Sequence, residues 1–262
     1  DFELRFAYKG EKPPVLELNG EEHTPRLPQA QPGQEWMQIN VRVQSTAEGR
    51  TTFVSASRPG SNRRAFPTSV KGAGRSLTTI GITAPEGAAL ELRGIQLKPL
   101  GTQPLFNGKD LSGWKPIPGH KSRFTVTDKG ELNIRDGNGE IQTEGQWADF
   151  VLQLDVISHG KNLNSGIFFR CLPGEFWQGY EAQIRNQWEG DDRTKPVDYG
   201  TGGVYNRQKS RKVVSSDNEW FTMTVVAHDL HVAVWVDGYQ TADYVDKDPP
   251  APTARKGSFR GR

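Results

Sequence analysis

The sequence predicts an all-β protein, and three of its features support that class. Its 262 residues include 29 glycines and 17 prolines, a share typical of strands joined by turns. Apolar residues alternate with polar ones over short stretches, and no amphipathic helical pattern of 12 or more residues is found. The length allows one large all-β domain or two domains of about 100–150 residues each.

Twelve segments have the alternating or apolar pattern of strands, and turn-forming residues separate them. They are residues 2–8, 37–43, 51–56, 90–97, 124–126, 131–134, 150–156, 166–170, 180–184, 221–225, 231–236 and 239–244. Asp237 and Gly238 separate the last two, and this pair is typical of a two-residue hairpin with a type I′ turn. Many short strands of this kind predict sandwiches of two antiparallel sheets.

An internal similarity divides the chain into two parts. Two segments near the start have counterparts later in the same order, 1–6 with 149–154 and 34–41 with 218–225. The similarity is either a coincidence between aromatic strands or the sign of two related sandwich units. We predict two units, a degenerate or partial sandwich over residues 1–100 and a fuller one over 105–262. The boundary falls in the Pro- and Gly-bearing stretch 98–104.

Composition and charge exclude several classes of protein. Lys and Arg number 33 against 31 Asp and Glu, so a chain-wide electrostatic grip on nucleic acid is not expected. No window approaches 18 consecutive apolar residues, so no membrane span is predicted. Cys171 is the single cysteine, which excludes a disulfide framework and a Cys-rich metal site. The short basic stretch 58–64 is interpreted as a solvated loop.

Five motifs follow one another in the second unit. They are LFNGKDLSGW at 105–114, NSGIFFR at 164–170, GYEAQI at 179–184, DYGTGGVYN at 198–206 and NEW at 218–220. Together they resemble the 3-keto-disaccharide hydrolase family. The resemblance implies a concanavalin A-like β-sandwich (jelly roll), in agreement with the strand pattern. It also implies a bacterial protein that acts in the periplasm or outside the cell.

The two units differ at their ends. Residues 90–100 of the first unit are similar to the closing strand of the same family. The second unit has no such segment before the final residues 257–262. We therefore expect the second sandwich to lack its last strands.

Strand alternation predicts a polar surface in the second unit. Glu181 and Gln183 share one face of strand 180–184, and Arg170 lies at the end of strand 166–170. If these two strands are neighbours, the three side chains can converge. The alternative is an Arg–Glu ion pair within the sheet that has a purely structural role.

Polar and aromatic residues near this surface favour a carbohydrate ligand. Sugars need planar hydrogen-bonding groups for their hydroxyls and aromatic faces for their C–H surfaces. The candidate substrate-binding residues are Asn164, Gln183, Tyr205, Trp177, Trp188 and His120. For a loop histidine such as His120, the alternative interpretation is a solvated side chain without a catalytic role.

The family resemblance implies cleavage of 3-keto-disaccharides or other 3-keto-glycosides. A ketone at C3 acidifies the C2 proton and makes the C1 oxygen a leaving group, so elimination followed by hydration is one route. Direct hydrolysis by paired carboxylates is the other. We interpret Glu181 as the catalytic base or a metal ligand and Arg170 as the group that holds the enolate or a hydroxyl. The candidate second carboxylates are Glu189, Asp191, Asp192 and Asp198.

The sequence assigns no cofactor with certainty. The carboxylates after strand 180–184 could bind a divalent metal such as Ca²⁺, although they lack EF-hand spacing, and a solvated acidic turn is the alternative. The metal ligands and the oligomeric state therefore stay open. A non-catalytic carbohydrate-binding or scaffold module is the alternative function, because sandwich folds support both binding and catalysis.

Overall fold

A computed structural model of the chain describes residues 1–18, 21–22, 36–46, 49–57, 68–72 and 80–247. Every helix or strand assigned within these residues is a β-strand, which confirms the predicted all-β class. The chain divides into two compact units, Asp1–Thr102 and Gln103–Arg262. The basic stretch 58–64 and the final residues 257–262 lie outside the described residues.

The described part of the first unit forms two antiparallel sheets. Its strands are β1 Phe2–Lys9, β2 Val15–Leu18, β3 Glu21–Glu22, β4 Met37–Thr46, β5 Gly49–Ser57, β6 Thr68–Gly72, β7 Ile80–Thr83 and β8 Glu91–Pro99. One sheet has the order β6-β5-β4-β1-β8, and the other has the order β3-β2-β7. Strand alternation buries one face of the larger sheet, where Phe6, Ile39 and Val54 join a common apolar core.

The second unit is also built from antiparallel strands. Its strands are β9 Trp114–Pro116, β10 Arg123–Val126, β11 Leu132–Arg135, β12 Ile141–Thr143, β13 Phe150–Ile157, β14 Ser165–Phe169, β15 Tyr180–Ile184, β16 Trp220–His228, β17 His231–Val236 and β18 Tyr239–Val245. Four of them form a sheet in the order β13-β16-β17-β18. The remaining strands pair two by two, as β14-β15, β10-β11 and β12-β9.

The core of the second unit lies between the four-stranded sheet and the β14–β15 pair. Tyr180 and Ala182 of β15 belong to the same buried cluster as Met223, Val225 and Val234 of the four-stranded sheet. All five side chains are at most 1% exposed. Burial of this apolar face is the main force that holds the two sheets together.

The strand pattern of the sequence locates most of the sheet residues. All twelve predicted segments are strands, and the hairpin between β17 and β18 has the predicted two-residue turn, with φ of +50° at Asp237 and +77° at Gly238. Six described strands were not predicted: β2, β3, β6, β7, β9 and β12. None of the six exceeds five residues, so alternation has too few positions to show a period.

The described residues contain no helix, and therefore no helix that is long and apolar enough to cross a membrane.

We predict that Met223→Ala lowers the free energy of unfolding of the second unit by about 2–5 kcal/mol, because it removes a fully buried side chain and leaves a cavity. Val151→Ala, at a position 42% exposed on β13, should change it by no more than about 0.5 kcal/mol. Urea unfolding followed by tryptophan fluorescence reports on this unit, since six of the seven tryptophans lie in it. Equal effects of the two substitutions would contradict the position of the core.

Candidate functional site

Strand β15 is the centre of the candidate site, and both of its backbone edges are paired. On one edge it pairs with β14, with Gln183 opposite Gly166. On the other edge, the segment after Gly200 runs alongside it. There the Tyr205 amide donates to the Glu181 carbonyl at 2.9 Å, and the Gln183 amide donates to the carbonyl of Gly203 at 2.9 Å. All five side chains of β15 are buried as a result.

The two faces of β15 have different roles. Tyr180, Ala182 and Ile184 face the apolar core. Glu181 and Gln183 lie on the opposite face, where they are 4% and 0% exposed. This confirms the predicted alternation along β15, and β14 and β15 are neighbours, the condition under which the polar side chains could converge. Two polar side chains are therefore buried on the side away from the core.

Gly166 makes room for the carboxylate of Glu181. A Cβ atom at position 166 would lie 2.4 Å from Glu181 Oε1 and 2.6 Å from its Cγ. Real Cβ contacts of this kind do not occur below 3.0 Å, so any larger residue would displace the carboxylate. The glycine of the NSG motif is thus explained by the glutamate of the neighbouring strand.

Asp198 connects two of the predicted substrate-binding residues. The Gln183 amide group donates from Nε2 to the Asp198 carbonyl oxygen at 2.8 Å and to its Oδ2 at 3.2 Å. Asn164 donates from Nδ2 to the same Oδ2 at 3.2 Å. The carbonyl oxygen and Oδ2 of Asp198 can only accept hydrogen bonds, so the Gln183 side chain must direct its NH2 group toward them. The orientation of this amide is therefore fixed. The Gln183 Oε1 atom is buried and accepts no hydrogen bond from any residue that the structure describes.

Tyr205 completes this group. Its ring lies 5.1 Å from the ring of Tyr199, measured between centroids, with an interplanar angle of 56°. Partial burial raises the pKa of the Tyr205 phenol, and the charges of Asp198 and Glu181 raise it further. The phenol therefore keeps its proton in neutral solution.

The segment that supplies Asp198 has an unusual backbone. Asp198, Tyr199 and Gly200 have φ values of +49°, +71° and +66° in succession. Left-handed non-glycine residues are uncommon and persist where the surrounding contacts hold them. A Cβ on Gly200 would lie 2.4 Å from the Cβ of Pro196, and one on Gly202 would meet the Thr241 hydroxyl at 2.2 Å. Close packing of this loop thus explains the glycines of its motif.

The structure corrects the predicted position of Arg170. Strand β14 ends one residue earlier, and Arg170 has a φ of +52°, so strand alternation does not extend to it. Its buried guanidinium donates to the Ala148 carbonyl at 2.9 Å, to Asp149 Oδ1 at 2.8 Å and to the Asp229 carbonyl. These partners border the four-stranded sheet, which packs on the face of β15 opposite to Glu181. Arg170 therefore fastens the two sheets to each other.

The other predicted carboxylates form an acidic turn. Asp192 accepts hydrogen bonds from the amide and hydroxyl of Thr194 at 2.9 and 2.6 Å, and these bonds lower its pKa. Glu189 and Asp191 are exposed beside it. Among the described residues, no group of three or more His, Cys, Asp or Glu side chains is arranged to hold a metal ion. Of the four candidates, Asp198 is the one that contacts the predicted site residues.

Aromatic candidates lie in two separate clusters. The ring of His120 stacks on Phe176 at 3.9 Å, and Phe176 stacks on Trp177 at 5.3 Å. Trp177 is 46% exposed, so part of this stack is accessible to solvent. The ring of Trp188 is covered by the guanidinium of Arg193, 4.1 Å from its centroid. Trp177 thus suits stacking on a sugar better than Trp188 does.

Sequence reasoning missed two contributors to these clusters, Tyr199 and Phe176, each of which packs against a predicted ring. It named Asp198 as one of four candidate second carboxylates. Asp198 and Tyr199 are the first two residues of the Gly-rich motif 198–206, and their place in this motif was the available signal for them. Trp220, the last residue of the NEW motif, is 53% exposed and lines an open hollow with Asp155, Thr222 and Asp237.

We predict that Gly166→Ala destabilises the second unit by about 1–3 kcal/mol, because the new methyl group overlaps the Glu181 side chain. In a Glu181→Ala background the same substitution should cost much less, since the overlapping atoms are gone. Urea unfolding of the four proteins of this cycle measures the coupling. An equal cost in both backgrounds would contradict the contact.

We predict that the Cys171 thiol is unreactive in the folded protein. Burial, and then the charge of Glu140, raise its pKa to about 12. At pH 8 the thiolate fraction is therefore about one in ten thousand, and reactivity should increase about tenfold for each pH unit up to about 12. Labelling with a chromogenic disulfide at pH 8, with and without urea, measures this. Fast labelling of the folded protein would show an accessible thiolate instead.

Comparisons with known proteins agree with the motifs. Residues 101–261 match the 3-keto-alpha-glucoside-1,2-lyase-like domain family. Two similar solved structures are a protein from Parabacteroides distasonis provisionally classed as a glycosyl hydrolase (25% identity, 55% of this chain and 71% of that chain, TM-score 0.44) and the carbohydrate binding module CBM66 from Bacillus subtilis (18% identity, 51% and 80%, TM-score 0.40). No curated protein matches the chain. Because the family match covers more than half of the sequence, this chain belongs to the 3-keto-alpha-glucoside-1,2-lyase-like domain family.

Proposed function

We propose that the second unit cleaves 3-keto-glycosides by elimination and hydration, with Glu181 as the base. Membership of a family described as 3-keto-alpha-glucoside-1,2-lyase-like supports this chemistry. The observation that supports the site most is the carboxylate of Glu181, 4% exposed and held over Gly166 on the face away from the core. We extend the proposal to carbohydrate as the ligand and, from the family resemblance, to a bacterial periplasm or the cell exterior as the place of action.

The proposed reaction begins at C2 of the 3-keto sugar. The Glu181 carboxylate takes the C2 proton, and the electrons of the C–H bond form an enolate with C3 and its oxygen. When the enolate collapses, the ketone re-forms, C1 and C2 become doubly bonded, and the bond from C1 to the glycosidic oxygen breaks. The leaving oxygen takes the proton held by Glu181. Water then adds across C1 and C2, so one water is consumed for each bond cleaved.

The neighbouring side chains would bind the hydroxyl groups of the sugar. Gln183 presents its buried Oε1 as an acceptor, because its amide nitrogen is engaged by Asp198. Sugar hydroxyls can donate to such an oxygen, and this bond would replace the missing partner of a buried polar atom. We assign Trp177 to stacking on the sugar, given its exposed ring.

Elimination fits the carboxylates of the site better than direct hydrolysis does. Paired-carboxylate hydrolysis requires a second carboxyl group that protonates the leaving oxygen, activates water or attacks C1. Asp198 is the second carboxylate in this group, and its Oδ2 accepts hydrogen bonds from both Gln183 and Asn164. This arrangement favours a positioning role for Asp198. A single base beside an activated C2 proton is sufficient for elimination.

We predict that Glu181→Gln lowers turnover of a 3-keto-α-glucoside at least a hundredfold, because the amide cannot accept the C2 proton. Binding of the sugar should persist, since the side chain keeps its shape. Asp192→Asn is the matched control, because it neutralises a carboxylate of the acidic turn, and we expect it to retain full activity. Release of free sugar, measured by chromatography, reports turnover with and without a chelator.

The outcomes of this experiment separate catalysis from binding. Loss of sugar release in the Gln variant alone would support Glu181 as the base. Equal sugar binding with no turnover in either protein would favour the non-catalytic carbohydrate-binding module. The observation that favours this second function is the exposed Trp220, which lines a hollow together with Asp155 and Thr222.

A further inference from the structure

The proposed reaction needs a hydrogen-bond donor for the ketone oxygen. Negative charge develops on this oxygen when the C2 proton leaves, and a preorganised donor lowers the energy of that state. Sequence reasoning assigned this role to Arg170. The structure directs its guanidinium to Ala148, Asp149 and Asp229, on the side of the four-stranded sheet. The role therefore calls for a residue on the Glu181 side of β15.

The side chains of this group differ in what they can offer to a ketone oxygen. Glu181 and Asp198, when ionised, can only accept hydrogen bonds. The amide nitrogen of Gln183 donates to two oxygens of Asp198, and that of Asn164 donates to the same carboxylate. A ketone oxygen is itself an acceptor, so neither a carboxylate nor Gln183 Oε1 can bind it. Tyr199 and Tyr205 carry the hydroxyl donors of this group, and Tyr205 is the one that lies opposite Glu181.

Strand register places the Tyr205 side chain on the same face as Glu181. Val204 forms an antiparallel bridge with Ala182, and both of these side chains are fully buried in the core. The next pair outward is Tyr205 with Glu181, joined by the hydrogen bond of 2.9 Å between the Tyr205 amide and the Glu181 carbonyl. Directly opposed residues of antiparallel strands point to the same face. Since one pair faces the core, the adjacent pair faces the candidate site.

We propose that the Tyr205 phenol donates a hydrogen bond to the ketone oxygen of the substrate and stabilises the enolate formed by Glu181. This inference rests on the proposed function and names a further catalytic residue for it. No proton leaves Tyr205 in the step: the C2–H bond breaks, its proton goes to the Glu181 carboxylate, and the electron pair moves into the enolate. The raised pKa of the phenol keeps it protonated at neutral pH and thus able to donate.

The test compares Tyr205→Phe with the wild-type protein on a 3-keto-α-glucoside. We predict that kcat falls about 10²–10³-fold with little change in KM, because the lost hydrogen bond is made mainly to the enolate. Exchange of the C2 proton in D₂O, followed by NMR, should slow to the same degree. Tyr239→Phe is the matched control, since this tyrosine is 44% exposed on β18, and it should behave as wild type. Urea unfolding midpoints verify that both variants are folded.

The outcomes distinguish this inference from the proposed function. Slower C2 exchange together with slower sugar release in the Tyr205 variant would support the phenol as the donor. If the wild-type protein is active and the Tyr205 variant stays within threefold of it in both measurements, the assignment of Tyr205 is overturned and Glu181 can remain the base. If the wild-type protein neither exchanges the C2 proton nor releases sugar, the proposed function itself is overturned, and this inference with it.

Discussion

The backbone pairing of β15 on both edges is the constraint on which the candidate site depends. A buried carboxylate and a buried amide are costly unless the structure compensates for the lost water. Here β14 and the segment after Gly200 satisfy the main-chain groups on either side of β15. The cost of burial is thereby confined to the side chains of Glu181 and Gln183. With its main chain paired on both edges, β15 presents two buried polar groups on one face and apolar side chains to the core on the other.

The loop that follows β15 makes this arrangement possible. It must pass close to the strand, turn sharply, and still place Asp198 beside Gln183. Its left-handed residues and its glycines meet these requirements, because a Cβ on Gly200 or Gly202 would overlap neighbouring atoms. Backbone strain at Asp198 and Tyr199 is thus held by packing. The same packing fixes the amide of Gln183 through the carbonyl of Asp198.

The sequence predicts where the strands lie and which residues of a strand share a face, because the alternation of side chains is a local property. It identifies Glu181 and Gln183 as partners on one surface for the same reason. It fails for Arg170, because a single left-handed residue ends the strand and redirects the side chain. Local patterns also do not reveal which of several acidic residues lies near Gln183. That choice depends on how a loop folds back over the sheet, which involves contacts between residues far apart in the chain.

The polarity of the candidate site has a consequence for the kind of sugar it can select. Carboxylate oxygens and an amide oxygen accept hydrogen bonds from the hydroxyl groups of a sugar. The ketone oxygen, in contrast, must accept a hydrogen bond from a donor on the protein. A site with acceptors at Glu181 and Gln183 and a phenol at Tyr205 can therefore orient a ring that carries both kinds of group. A hydroxyl oxygen also accepts a hydrogen bond from a phenol, but it gains no negative charge during the proposed reaction. If Glu181 and Tyr205 act as proposed, the site therefore distinguishes the 3-keto sugar from a fully hydroxylated one in the enolate and not in the first binding step.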